Sequence, residues 1–368
     1  MSRLQVLHWS MVSSKYTGLV FQQASDEQLD LVWTLNAQSW AAPISTEGHI
    51  TRERFLSKQA LTGDNWRTFV LFRQEDEIIA SCEAFEKEIL ISDKDGFRKE
   101  RGYGIASVFT NPKYRRQKMA SLLLVSVAEW MDGQGGGALS VLYSDIGKTY
   151  YEKLGWTPYS TRQLVLDSKI DSPDNVDIPG VHALRDEQVE ELCREDIAAL
   201  EKEFSQPVEP DDHIHIAFTP SVHQIQWHFV REHYMAKALF DREESSCRGA
   251  IAQSRRAWLI WYLDLVERKC EVQRIVLLDK HERERNVSEV VNLLRFAHQE
   301  AKPWGINQVI VWNPSEDVTE AGRRLAEKFE GIESKIEERD SSIPALRRQH
   351  GESTANLHWK HNEYYAWC

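Results

Sequence analysis

The chain has 368 residues, a formal net charge of −12, and 42% hydrophobic and 28% charged residues. These proportions are those of a soluble globular protein, and the length suits two domains of average size. The acidic balance argues against whole-protein affinity for DNA or RNA, and no apolar stretch is long enough to span a bilayer.

The cysteines and the N-terminus indicate a reducing compartment. The five cysteines are scattered and contain no CxxC pair, which argues against a disulfide framework and against a zinc module. Residues 1–14 have no uninterrupted apolar core behind a basic start, so the sequence predicts no secretory signal. We therefore expect a soluble, cytoplasmic protein that holds no metal.

The first half alternates strand and helix signals. Asn111-Pro112 ends one strand because proline cannot continue a hydrogen-bonded ladder, and the polar run 93–99 predicts a loop. The predicted elements are strands over 17–22, 67–73, 77–92, 102–110, 138–143 and 162–166, and helices over 26–40, 118–131 and 146–154.

A linker and a second, similar half follow. The segment from Ser168 to Gly180 has three aspartates, two prolines and little apolar content, so we predict domains over 1–168 and 181–368 joined by 169–180. The order of elements from Ala257 onward repeats the order from Arg67 onward, which predicts a divergent copy of the first half. The predicted elements of this half are helices over 186–203, 221–239, 287–301 and 318–330, a hairpin over 257–266 and 271–278, and a strand over 308–312.

The segment 108–121 carries the strongest chemical signal. A strand ends, four of the six residues from Lys113 to Lys118 are basic, and a helix begins. A helix N-terminus has unpaired N–H groups and a positive dipole end, so it binds anions. The pattern predicts a pyrophosphate cradle, with a solvated basic turn as the alternative.

Two segments resemble the signatures of the GNAT superfamily of acetyltransferases. Its first pattern is Arg or Gln, two variable residues, Gly, one variable residue, then Gly or Ala. Arg115 and Ala120 match it, whereas Lys118 stands where glycine is expected. Residues 140–156 end in Tyr-x-x-x-Gly-aromatic, like the second signature. Each motif alone is weak, but the ordered pair is specific.

The resemblance implies an α/β (α+β) fold of two tandem GNAT-like domains, each a mixed, mostly antiparallel sheet flanked by helices. It also implies acetyl-CoA as the co-substrate, with the pantetheine arm in a gap where one strand splays from its neighbour. The implied acetyl-CoA contacts are Val108, Phe109, Thr110, Arg115, Arg116, Gln117, Lys118, Met119, Ala120 and Ser121.

Transfer of the acetyl group also requires an acid for the departing thiolate, a base for the amine and a donor for the oxyanion. The resemblance places Tyr151 near the thioester sulfur, where it protonates the departing thiolate; packing of a helix face is the alternative. An amine with a pKa of about 10.4 is mostly protonated at pH 7, so a base is required. The candidates are Glu83, the C-terminal carboxylate of Cys368, and residues that the sequence does not identify. A backbone N–H of the strand 107–110 can stabilise the oxyanion.

In length and in its Trp-Cys ending, the chain is similar to the fungal lysine N-acetyltransferase family. This implies acetylation of the side-chain amine of free lysine or of a related amine metabolite. An inactive GNAT pair used for binding or assembly and an acetyltransferase for protein lysines are the alternatives. We expect acetyl-CoA and a small amine as partners, and no nucleic acid, membrane or second coenzyme.

Several histidines have simpler explanations. His213 and His215 have metal-ligand spacing, but without a carboxylate-histidine signature nearby a structural role is favoured. His223, Trp227 and His233, on the predicted helix over 221–239, are candidates to line a substrate pocket, but packing in the core and at the surface is the favoured explanation.

Overall fold

A computed structural model describes residues 7–8, 18–73, 77–169, 177–206, 213–279 and 281–367. Their strands form two mixed, mostly antiparallel sheets with helices on their faces, as the sequence predicts. Among the described residues, no helix is both long and apolar enough to cross a bilayer.

The first sheet contains the strands of the first half except the last one, Arg162–Ser168, and three strands of the second half. Its main path is β1 (Leu7–His8), β2 (Val20–Gln23), β3 (Trp66–Phe72), β4 (Ile78–Asp93), β5 (Gly96–Thr110), β6 (Leu139–Ser144), β16 (Ile343–Arg348) and β7 (Thr157–Pro158), and β10 (Ile214–Phe218) pairs with β4 and with β17 (Leu357–Trp359). The pairs β5–β6 and β10–β17 are parallel, and all other neighbouring strands of this sheet are antiparallel.

The second sheet has one parallel pair, β13 with β14, and is otherwise antiparallel. The predicted order of hairpin, helix, strand and helix from Ala257 onward is confirmed. The strands in spatial order are β15 (Ile332–Glu338), β8 (Arg162–Ser168), β14 (Gln308–Trp312), β13 (Lys269–Leu277), β12 (Ala257–Asp264), β11 (Gly249–Ala252) and β9 (Val181–Leu184).

Eight helices of the described residues cover these sheets. Serine side chains accept the backbone N–H groups at the starts of α1, α2, α6 and α8, as N-caps do, whereas α3 starts at Lys118 without a side-chain cap. α4 and α7 likewise begin without a side-chain cap. The helices are α1 (Asp26–Trp40), α2 (Thr46–Leu56), α3 (Met119–Asp132), α4 (Thr149–Glu152), α5 (Asp186–Phe204), α6 (Val222–Phe240), α7 (Arg283–Ala301) and α8 (Glu316–Lys328).

Two strands exchange between the sheets, which corrects one prediction. The strand predicted over 162–166 as the last of the first half exists as β8, but it lies between β14 and β15 of the second sheet. Its place beside β6 is taken by β16, which comes from the end of the chain. Local sequence shows that a strand forms but not which partner it takes, since pairing depends on distant residues. The domain boundaries 1–168, 169–180 and 181–368 stay a prediction, and the sheets do not follow them at these strands.

Local boundaries differ from prediction in two further places. The polar run 93–99, predicted as a loop, is mostly strand, because β4 and β5 pair to the tip at Asp93 and Gly96. The helix α2 was not predicted, because its sequence, with charged residues such as Glu53 and Arg54, has no clear apolar stripe. Both elements belong to the first sheet's side of the molecule, where the candidate site lies.

The two sheets share a core. One cluster of buried side chains includes Ile89 and Val141 of the first sheet, Tyr262 of the second and Tyr365 of the C-terminal segment. Burial of such side chains is the main stabilising term in folding, so the two halves are expected to unfold together. This shared core brings the C-terminal segment to the first sheet.

Candidate active site

The site begins where β5 leaves β6. These strands pair in parallel only over Gly102–Ile105 and Leu139–Leu142, although β5 continues to Thr110. On the other side of β5, Ser107 and Val108 together lie opposite the single residue Cys82 of β4, which is a β-bulge. Ser107 has a left-handed φ of 51°. The bulge opens the sheet and turns the Ser107 side chain toward β4.

A basic turn connects this opening to α3. After a short 3-10 turn over Pro112–Tyr114, Arg116 and Lys118 both adopt left-handed φ angles, 61° and 62°. Glycine adopts this conformation without strain, which explains why glycine is the expected residue there. Lys118 therefore keeps the backbone path that a glycine would give. The turn still directs the N-terminus of α3 toward the opening.

The residues predicted to contact acetyl-CoA differ in exposure. Arg115, Arg116 and Lys118 are exposed at the turn, while Phe109 and Met119 are buried in the core. The half-buried members are Val108, Thr110, Gln117, Ala120 and Ser121. The charged residues are thus available to a diphosphate, whereas Phe109 and Met119 pack in the core next to the turn.

Tyr151 lies on α4 next to the opening. Its side chain is 9% exposed, packs in the core cluster of the first sheet, and meets Tyr150 edge-on with ring centroids 5.0 Å apart. Burial raises the pKa of the Tyr151 hydroxyl above its ordinary value, so the group stays protonated and able to donate. Gly155, the glycine of the Tyr-x-x-x-Gly-aromatic ending, has a left-handed φ of 97°.

Glu83 is the buried carboxylate of the site. It lies on β4, is 7% exposed, and accepts a hydrogen bond of 2.8 Å from the Ser107 hydroxyl. Burial raises the pKa of the Glu83 carboxyl to about 7, the Glu53 carboxylate adds to the rise, and the Ser107 hydroxyl opposes it. In contrast, Glu86 pairs with Arg101 at the surface. A carboxyl that titrates near neutral pH suits a general base.

Besides Ser107 of β5, side chains of α2 and β3 act on Glu83, and Trp66 of β3 opposes the rise of its pKa by a hydrogen bond. Glu53 of α2 is close enough to raise the Glu83 pKa and is itself held by Arg52 at 2.8 Å. Trp227 of α6 meets Phe85 of β4 edge-on, with centroids 6.3 Å apart. Sequence analysis did not single out Glu53 or Ser107, and no local signal marks them, because their role depends on proximity to Glu83.

The C-terminal segment reaches the same region. The Tyr365 hydroxyl donates to the Phe218 carbonyl at 2.7 Å, and Gln224 donates to the Trp367 carbonyl at 3.0 Å. The same Gln224 accepts a hydrogen bond of 2.7 Å from Lys87. Trp367 also packs against the buried cluster of Leu56, Leu61 and Trp227. Cys368, predicted to supply a terminal carboxylate, lies outside the described residues.

In the second sheet, the corresponding opening is filled by the chain itself. β13 and β14 pair over Lys269–Val272 and Gln308–Val311 and then separate. Glu363 enters there, accepting a hydrogen bond of 3.0 Å from the Ile275 N–H and another from Arg274. No comparable insertion occurs among the described residues between β5 and β6. The second sheet is thus closed to a pantetheine arm.

The loop before α7 is also occupied by a protein carboxylate. Asp279 accepts hydrogen bonds from the His281 N–H at 3.3 Å and from Arg256 and Arg285 at 2.9 Å each. In the first sheet, no carboxylate of the described residues is paired with Arg115, Arg116 or Lys118 of the equivalent loop. These contacts favour one coenzyme site per chain.

The histidines separate into different regions. His215 lies on β10 and His213 directly precedes that strand; their ring centroids lie 5.5 and 4.1 Å from the ring of His358 on β17. His223 is exposed, and His233 is bonded to Glu244, so of the three candidate pocket residues on α6 only Trp227 faces the site.

Comparisons with known proteins agree with this geometry. The family described as LYC1 GNAT-like C-terminal domain matches residues 165–368, more than half of the chain, and the acetyltransferase (GNAT) domain family matches residues 21–159. A Yarrowia lipolytica protein named Lysine acetyltransferase is 22% identical over 360 residues, which cover 83% of this chain and 88% of that protein.

Two solved structures have the same fold. The GCN5-related N-acetyltransferase from Kribbella flavida matches with a TM-score of 0.54 and 16% identity, covering 90% of this chain and 72% of that one. A GCN5-related N-acetyltransferase from Anabaena variabilis matches with a TM-score of 0.50 and 13% identity, covering 90% and 73%. At such identities the likeness shows the fold alone.

Proposed function

Because the chain belongs to the GNAT acetyltransferases with a LYC1 GNAT-like C-terminal domain, we propose that it transfers the acetyl group of acetyl-CoA to the side-chain amine of free lysine or a related small amine. The acyltransferase class follows from the family. The acceptor is supported by the name of the Yarrowia lipolytica relative and by the charge of the site. The observation that carries the proposal is Glu83, a buried carboxylate bonded to Ser107 at the opening of the sheet.

Acetyl-CoA binding would use contiguous residues. The uncapped N-terminus of α3, with Arg115, Arg116 and Lys118, would hold the diphosphate, because amide N–H groups and cations both favour an anion there. The pantetheine arm would lie between β5 and β6, where pairing stops after Ile105. This arrangement directs the thioester toward Ser107 and Glu83.

The reaction then needs three proton-handling or charge-stabilising groups. A carboxylate, Glu83 or the Cys368 terminus, removes a proton from the ammonium group, and the amine nitrogen attacks the thioester carbon. A backbone N–H of the strand 107–110 stabilises the oxyanion. When the carbon–sulfur bond breaks, the Tyr151 hydroxyl protonates the thiolate of coenzyme A, and the second proton that the nitrogen loses in forming the amide returns through solvent to the Tyr151 oxygen. The products are the N-acetylated amine and free coenzyme A.

A thiol-release assay with acetyl-CoA tests this function. The acceptors compared are free lysine, other amino acids, diamines and a lysine-containing histone-like peptide, with acetyl-CoA alone as the control for hydrolysis. We expect release with free lysine or a close amine, and a product heavier by one acetyl group. Release with the peptide alone would support protein acetylation instead. Binding of acetyl-CoA without release for any acceptor would support a binding role.

Neutralising the basic turn is expected to weaken acetyl-CoA binding. Arg115→Ala and Arg116→Gly should each raise the Kd about tenfold, since each removes a charge-assisted contact, and glycine retains the left-handed backbone at 116. The loss should shrink at high ionic strength because the residues are exposed. Titration calorimetry measures it, with Arg98→Ala, an exposed arginine at the far hairpin, as the control.

Lys118→Gly gives the converse test at the glycine position. Lys118 is exposed and already left-handed, so glycine should preserve the fold and leave acetyl-CoA affinity within about threefold. A loss as large as that of Arg116→Gly would show that Lys118 contacts phosphate directly. Unchanged affinity in all three variants would place the diphosphate elsewhere.

Tyr151→Phe is expected to lower kcat about 10²–10⁴-fold, as for a general acid, with little change in acetyl-CoA affinity. Tyr150→Phe is the matched control, because the Tyr150 hydroxyl lies 3.1 Å from that of Ser121 on α3 and has no proposed catalytic role. Steady-state kinetics and calorimetry separate the two effects. Wild-type turnover in Tyr151→Phe would reduce Tyr151 to a packing residue.

A further inference from the structure

Arg231 on α6 has donors left over for a ligand. Its Nη1 donates to the Tyr262 hydroxyl at 2.9 Å and lies 3.7 Å from Asp264, and its side chain is 19% exposed. Among the described residues, its Nε and Nη2 have no protein hydrogen-bond partner, and neither atom is buried from solvent. The guanidinium is therefore anchored on one side and open on the other.

The anchored side is rigid. The Tyr262 hydroxyl donates to Asp264 at 2.7 Å, and Asp264 accepts the backbone N–H groups of Val266 and Glu267 at 3.0 and 2.9 Å. The ring of Trp367 lies 5.7 Å from the Arg231 guanidinium carbon. A guanidinium held in this way loses little freedom on binding, and its planar donors match a carboxylate.

A chain of contacts connects Arg231 to the region of Glu83. One turn earlier on α6, Trp227 contacts Phe85, which is two residues from Glu83 on β4. The carboxylate of Glu53 on α2 interacts electrostatically with both Glu83 and Arg231. It raises the pKa of Glu83, whose largest shift comes from burial. Burial lowers the pKa of Arg231, and surrounding groups that include Glu53 more than reverse that effect.

We propose that Arg231 binds the carboxylate of the acceptor, so that the enzyme selects free amino acids with a terminal side-chain amine. This inference rests on the proposed function and names the acceptor class within it. The side-chain amine would point to Glu83 and the carboxylate to Arg231, at opposite ends of one extended molecule. An acceptor without a carboxylate would leave the open edge of Arg231 unpaired.

The test compares lysine with 1,5-diaminopentane, which has the same chain and no carboxylate. In the wild-type enzyme we expect kcat/KM to be about 10–100-fold higher for lysine, the range for one charge-assisted interaction. In Arg231→Gln, kcat/KM for lysine should fall by that factor and the value for the diamine should stay within about threefold. Arg231→Lys keeps the positive charge but lacks the planar pair of donors, so its kcat/KM for lysine should lie between those of the wild type and Arg231→Gln.

Arg242→Gln is the matched control, since Arg242 follows the same helix, stacks on Trp304 at 4.3 Å and lies at the surface. Equal use of lysine and the diamine by the wild type would overturn the inference without any variant, even if Arg231→Gln failed to fold. An equal loss for both acceptors in a folded Arg231→Gln would assign Arg231 a structural role. Absence of release with every small amine would instead overturn the proposed function.

Discussion

Replacing Glu83 by glutamine is expected to reduce kcat about 10²–10⁴-fold, the contribution typical of a general base. Glutamine has nearly the same shape, and its carbonyl oxygen can still accept the Ser107 hydrogen bond. The fold and acetyl-CoA affinity should therefore survive, and the loss should appear in kcat. Turnover at saturating lysine measures it, and thermal unfolding checks the fold.

The pH profile distinguishes a base from a packed carboxyl. A base acts in its deprotonated form, and burial raises the pKa of Glu83 to about 7, so wild-type activity should decline as the pH falls through about 7. Arg52, Glu53, Trp66 and Ser107 are the groups that face Glu83 and modulate this value. In Glu83→Gln this decline of activity at low pH should be absent. Glu86 lies on the same strand but is ion-paired at the surface, so Glu86→Gln should keep both the wild-type turnover and the decline at low pH. Wild-type behaviour in Glu83→Gln would exclude Glu83 as the base.

Deleting Cys368 is expected to lower kcat by about 10²-fold or more if the terminal carboxylate handles the proton, because the deletion moves that carboxylate by one residue. The residue before Cys368 supports such a role: the Trp367 carbonyl accepts a hydrogen bond from Gln224, and Trp367 packs against the cluster of Leu56, Leu61 and Trp227. Cys368→Ser keeps the carboxylate and removes the thiol, so it should remain active. A short C-terminal tag should impair turnover and leave acetyl-CoA binding intact.

Together, the Glu83 variant and the variants of the chain end show which carboxylate removes the proton from the amine. Loss in Glu83→Gln together with normal activity in the truncated and tagged proteins identifies Glu83 and makes the chain end a packed segment. The reverse result identifies the terminus. Loss in both sets, with Cys368→Ser active, indicates that the two carboxylates act together. Thermal unfolding of each variant is needed, because the C-terminal segment also packs in the core shared by the sheets.

Much of the local structure could be predicted from sequence. The strand over 308–312 was predicted with the observed bounds, and the helix predicted over 186–203 differs by one residue. These elements carry their signal in nearby residues, through apolar periodicity and through end signals. The role of β8 could not be predicted in this way, because its partners, β14 and β15, lie more than a hundred residues away along the chain.

The sequence by itself determined the family signature and the predicted cofactor end of the site. Residues 108–121 and 140–156 are contiguous because diphosphate recognition uses a strand end, a turn and a helix start, which are neighbours along the chain. Only the tertiary structure added Glu53 and Arg231 to the proposed acceptor end, where sequence had named Glu83. These residues come from α2, α6 and β4, and Glu53 acts electrostatically on both of the others. Such convergence depends on long-range packing, which no local pattern of residues encodes.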